Sequence, residues 1–179
     1  MNAKEFNGQV DSVLAPILAT AGFKKVKSDF VREDDSNQLV LFRFAGSKFA
    51  SLLQFTQFML CFRHKFLRDV WEKIPDSHPT EGSGYPFRIR PSDLQSGEWQ
   101  NWSYQFMKAT EHDRMEYGKL SDARLLLTEM GKAVVTHGVE WSSRFTEDEA
   151  LRLLLSSPTA AFVEKLWIED YKHRLQQDS

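Results

Sequence analysis

The sequence predicts an α+β fold: an N-terminal helix, an antiparallel sheet of about five strands, and C-terminal helices packed on or beside the sheet. Three observations predict it. Apolar residues recur at helical spacing from Phe6 to Leu18. From Phe23 to Met107, short runs rich in Phe, Val and Leu are broken by Gly, Asn, Asp and Pro. From Ser121 onward, capping residues and helical spacing return. The strands do not alternate regularly with helices, which argues against a doubly wound parallel sheet.

The first helix is expected over residues 3–21. Asn2 can cap it, because its side-chain oxygen accepts from a free N–H of the first turn. Phe6, Val10, Val13, Leu14, Ile17 and Leu18 form one apolar stripe. Gly22 stands where a left-handed terminator is wanted. Pro16 lacks an N–H, so a kink or a split into two shorter helices is expected there.

Extended chain is expected around Asp29, Phe30, Val31 and Arg32, followed by a turn at residues 34–37. Leu39 to Phe44 is the next strand, with Gly46-Ser47 as its end, and residues 51–62 the one after. These connections are hairpin-like, so the strands should be antiparallel neighbours. Phe58-Met59-Leu60-Cys61-Phe62 is apolar at every position, which predicts a central strand covered on both faces. Residues 66–74 read as a short helix stopped by Pro75, and residues 76–85 as a loop. Two further strands are expected over 86–90 and 101–107, with a turn or single helical turn over 92–97 between them.

The last third reads as helical. Ser121 is expected to cap a helix running to about Thr136, with Leu120 and Leu125 as its hydrophobic staple and His137-Gly138 as its end. Thr146 to Glu149 has the spacing of a capping box before residues 150–155. Ser157-Pro158 opens a final helix supported by Phe162, Leu166 and Tyr171. A length of 179 residues suits one domain over 1–179, with helix and sheet in 1–120 and a helical part in 121–179.

Charge and composition remove several function classes. The formal net charge is −2, which argues against a generic nucleic-acid binder. A single cysteine, Cys61, rules out a disulfide framework. The chain lacks an apolar run of the ~18 residues a membrane span needs. Its first dozen residues lack a basic segment followed by an apolar one, so the expectation is a cytoplasmic protein without a membrane partner.

Motifs for chemistry are sparse. Gly82-Ser83-Gly84 precedes Tyr85-Pro86, with neither a lysine nor a helix to make a phosphate cradle. No two of the five histidines have the i, i+4 spacing of a helical metal site, and Glu111-His112-Asp113 would need a third ligand from elsewhere. Cys61 lies in an apolar strand, where a thiol packs inertly, and His64 should point to the other face. Neither a cofactor nor a metal is expected, and no catalytic residue stands out.

A basic and aromatic strip is the most functional-looking feature. Arg63, His64, Lys65 and Arg68 cluster at a strand end, and Arg88 and Arg90 alternate along a later strand. Trp99, Trp102 and Tyr104 follow in sequence. Arginines beside aromatics are common anchors of protein interfaces. They also hold phosphate-bearing ligands or single-stranded nucleic acid. The bland alternative is a solvated sheet face with snorkelling arginines. The candidate contact residues are therefore Arg63, Arg68, Arg88, Arg90, Trp99, Trp102 and Tyr104.

A few short stretches carry a family resemblance. Met1 to Phe6, Gly22-Phe23-Lys24-Lys25 and Phe30-Val31-Arg32 resemble a family of bacterial domains of unknown function. In that family an N-terminal helix ends in Gly-Phe-Lys-Lys and leads into a short antiparallel sheet. Val139 to Thr146 resembles its tryptophan–phenylalanine segment, with Glu140 where the family usually has proline. The resemblance implies no catalytic residue. It implies, by association, an immunity protein or an accessory protein of a toxin or conflict system.

The leading expectation is thus a non-enzymatic protein-binding domain with a protein partner, in one form a toxin. The first alternative is an enzyme or ligand-binding domain holding an anionic substrate between sheet and helices through Arg88, Arg90 and His112. The second is nucleic-acid binding through the basic-aromatic strip. A homodimer through an edge strand or the final helix is a further option.

Overall fold

The computed structural model describes residues 1–48, 53–65, 85, 87–96, 114–156, 169, 172–173 and 176. Helix α1 spans Ala3–Ala19. Asn2 Oδ1 accepts from the Glu5 N–H, and Glu5 Oε2 accepts from the Asn2 N–H, a complete capping box. At the other end Gly22 adopts φ 81°. The Phe23 N–H then reaches back to the Leu18 carbonyl and the Gly22 N–H to the Ala19 carbonyl. These paired bonds satisfy carbonyls that the helix leaves orphaned. Of the two outcomes expected at Pro16, the split does not occur. Pro16 lies on the exposed face, where water can serve the carbonyl that loses its donor.

The sheet follows as strands β1 (Lys24–Val26), β2 (Asp29–Glu33), β3 (Asn37–Lys48), β4 (Leu53–His64), β5 (Phe87–Ile89) and β6 (Arg114–Met115). The order is β1-β2-β3-β4-β5, all antiparallel, with β6 also pairing β4. The turn into β3 is built by Asp34, whose Oδ1 accepts from the Ser36 and Asn37 N–H groups. β3 is longer than predicted. It runs through Gly46-Ser47, which pair with Phe55 and Gln54, because a long partner strand overrides the local turn signal. β1 and β6 lie outside the predicted strands, since each is too short to show a period.

β4 is central, as its apolar run predicts, and Phe58 to Phe62 are all buried. Alternation sends Phe58, Leu60 and Phe62 to one face with Leu39 and Leu41 of β3, Phe30 of β2, and Phe87 and Ile89 of β5. These join Phe6, Val10, Leu14 and Leu18 of α1 in the core.

Helix α2 spans Pro91–Ser96, and after it α3 spans Arg124–Ala133. Ser121 does not cap α3. The N-cap position is Ala123; Asp122 before it accepts from the Arg124 N–H with Oδ1, while the Ala123 N–H donates to Gln9 Oε1 of α1. Leu125 is 70% exposed, so the predicted staple does not form. Nor does the chain stop at His137-Gly138. A π-helical turn over Val134–Gly138 carries it into α4 (Val139–Ser143). Gly138 serves close approach instead of termination: a Cβ there would lie 2.7 Å from Leu60 Cδ2. Gly131 likewise lets α3 approach Leu14 and Ile17 of α1.

Helix α5 spans Glu147–Ser156. The Glu149 N–H bonds Thr146 Oγ1 at 3.3 Å, the hydroxyl half of the predicted box. The Glu149 carboxylate does not reach back. It holds Arg152 in a two-pronged pair at 2.7 and 2.6 Å, a geometry a guanidinium favours. The predicted helix over 66–74, the loop over 76–84, the strand over 101–107 and the start of the final helix lie outside the described residues. Among those described, no helix is long and apolar enough to cross a membrane.

Candidate functional site

The predicted basic strip is divided by the pleat and by local pairing. Arg63 and Arg88 project from the sheet face opposite α1. Arg88 stands directly across from Cys61 in register, and Arg63 lies two residues beyond Cys61 on the same face. Arg63 Nη2 donates to Gln38 Oε1 at 2.9 Å, and its guanidinium carbon lies 5.0 Å from the centre of the Tyr85 ring. The Tyr85 hydroxyl donates to the same Gln38 oxygen at 2.6 Å, and Arg88 Nε donates to the Tyr85 carbonyl at 2.8 Å. The structure thus brings Arg63 and Arg88 together through Tyr85, a residue the sequence did not single out.

Arg90 goes elsewhere. It follows β5 and grips Asp93 of α2 with two bonds of 2.7 Å, fixing the first turn of that helix. His64 turns to the helix-covered face, where its Nε2–H donates to the Phe145 carbonyl. Lys65 pairs with Glu33 at 3.3 Å. Arg68, Trp99, Trp102, Tyr104 and His112 lie outside the described residues.

Burial governs the titrating groups on this face. Loss of solvent pushes the Cys61 thiol up to about 12 and the Tyr85 hydroxyl up to about 12. The thiol is therefore protonated at neutral pH, which suits packing and not nucleophilic attack.

The tryptophan–phenylalanine segment is core. Phe145 stacks on Phe87 with centroids 4.4 Å apart and on Phe62 at 5.6 Å, and Trp141 meets it edge-on at 5.1 Å. Trp141 and Phe145 hold α4 and its exit against the sheet, and both are buried.

A groove lies between α2 and α3. Phe58 of β4, Met115 of β6 and Met130 of α3 are among its apolar lining. Pro91, Ser92 and Gln95 wall it on one side and Leu126 and Glu129 on the other, around a hollow of about 70 Å³. Past Gln95 and Glu129 it opens into a wider depression lined by Lys132, Thr136 and His137. The π-helical turn positions the last two, since an inserted residue rotates the succeeding side chains around the helix axis.

The same side of the molecule carries exposed leucines. Leu125 is 70% exposed and Leu126 is 44% exposed, and with Val26 they are the large apolar side chains exposed among the described residues. The sequence held the signal for this. Leu125, Leu126 and Leu127 are consecutive, and three consecutive residues span about 200° of a helix. One buried stripe cannot take all three. Leu127 is buried and the other two face outward. Among the described residues no group of three or more His, Cys, Asp or Glu is placed to hold a metal ion.

No family model, curated protein or solved structure matches this chain.

Proposed function

We propose that this chain is a protein-binding domain whose contact surface is the α2–α3 groove and the leucines beside it. The carrying observation is the exposure of Leu125 and Leu126 next to a methionine-lined hollow. Exposed leucine is costly in water, and contiguous apolar surface is where partners dock. Methionine adapts its shape to an incoming apolar side chain. Glu129 and Lys132 at the rim add charge of both signs, which supplies register more than affinity. The narrower form of the proposal is the one the family resemblance implies: a toxin is the partner, and this chain masks it.

The test is affinity capture from lysate of the source cells with the unaltered chain and with Leu125→Asp/Leu126→Asp. Both changes are on exposed positions, and thermal melting checks that the variant folds. The expected result is one stoichiometric protein retained by the unaltered chain and lost by the variant. A partner retained equally by both, or none retained by either, overturns the proposal.

A further inference from the structure

A second cavity lies on the helix-covered face, at the far end from the α2–α3 groove, between the β2–β3 turn and α4. It is a half-open hollow of about 130 Å³ lined by Arg32, Asp34, Asn37, Leu39, Phe62 and Val139. Ser142 and Ser143 complete it from α4. A single water needs about 10–15 Å³ by this kind of measure, so the space admits a molecule of several heavy atoms. It is well below the ~300–1,000 Å³ of sites for drug-sized ligands.

Four features describe what would fit. Arg32 is half-buried, and its side chain makes no hydrogen bond or ion pair with another described residue, although Asp34 lines the same cavity. Asp34 is exposed, and the Ser36 and Asn37 N–H groups hold its carboxyl below the usual range. Asn37 Oδ1 is buried and has no hydrogen-bond partner, an acceptor that a donor should satisfy. Leu39, Phe62 and Val139 supply an apolar wall.

A separated cation and anion, an orphaned acceptor and an apolar wall in one small cavity match one chemical class. We infer that this cavity binds a small free α-amino acid with an apolar side chain. Its carboxylate meets Arg32, its ammonium group meets Asn37 Oδ1 and Asp34, and its side chain lies against Leu39, Phe62 and Val139. A peptide end carries only one of the two charges and so satisfies only half of the site. The cavity shares no residue with the protein-binding groove, so either site can stand without the other.

The test is calorimetric titration of the full chain with L-valine, N-acetyl-L-valine and L-valinamide. Valine is expected to bind, and each blocked derivative to bind at least about tenfold more weakly, since each leaves one charge of the site without its counter-charge. Arg32→Gln is expected to weaken valine by about tenfold or more with an unchanged melting temperature. Arg32→Lys, which keeps the charge but loses the planar fork, should fall between. Absence of heat with valine at millimolar concentration overturns the inference. So do blocked derivatives that bind as well as valine, and so does binding indifferent to Arg32→Gln.

Discussion

On one face of β4, Phe58, Leu60 and Phe62 meet Leu39, Leu41 and the helices; on the other, Met59, Cys61 and Arg63 share a surface with Val40, Phe42, Gln38 and Tyr85. The first face is closed by shape. Gly138 brings the π-helical turn so near that Leu60 fills the space a Cβ would need. The second face is closed by polar contacts at its end. Arg63, Gln38 and Tyr85 satisfy one another by hydrogen bonds and a cation over a ring. Tight packing is intolerant of added or removed volume, whereas a polar cluster is intolerant of a lost partner. One strand therefore carries two kinds of fragility.

The largest effect should come from the packed face. Leu60→Ala is expected to cost about 2–5 kcal/mol, the usual range for a fully buried aliphatic side chain. Gly138→Ala should cost about 1–3 kcal/mol by overpacking, although alanine ordinarily favours a helix over glycine. The two should be coupled. In the Leu60→Ala background the Gly138→Ala penalty is expected to vanish, because the obstructing methyl is gone. Urea unfolding of the two single variants and the double variant measures this, and additive costs would break the contrast between the faces.

A smaller effect is expected on the polar face. Tyr85→Phe keeps the ring beneath Arg63 and removes only the hydroxyl that bonds Gln38, so about 1 kcal/mol should be lost. A loss as large as that of Leu60→Ala would show that the two faces are not held differently.

Around neutral pH the smallest effect is that of titration on the polar face, which emerges only in alkali. Cys61 and Tyr85 hold their protons more tightly folded than unfolded, being raised from ordinary values of 9.0 and 10.0 to about 12. Stability is therefore untouched by these groups below pH 9 and is lost as pH rises toward 12. Thermal melts across that window should show the decline, and Cys61→Ala should flatten its first part.

Much of this architecture was legible in the residues. The capping box at Asn2 and the closing glycine at Gly22 are local chemistry, so a short stretch of sequence suffices to read them. The apolar run Phe58–Phe62 marks β4 as central without any knowledge of its neighbours. His137-Gly138 misleads because a glycine that terminates a helix and a glycine that admits a neighbouring side chain look identical in sequence. The basic strip misleads in the same way. Arg90 is spent on Asp93, Lys65 on Glu33, and Arg63 on Gln38 and Tyr85, while Arg88 shares a face with Arg63.

The sequence by itself determined the α+β class, the first helix with both its ends, and the strand buried on both sides, because caps and periodicity act over a few residues. Tertiary structure alone decided that Gly138 packs on Leu60, that Leu125 and Leu126 stand outside the core, and that Arg32 and Asn37 face one cavity with Val139. Each of those outcomes depends on residues far apart in the chain, and only the closure of the fold puts them in reach.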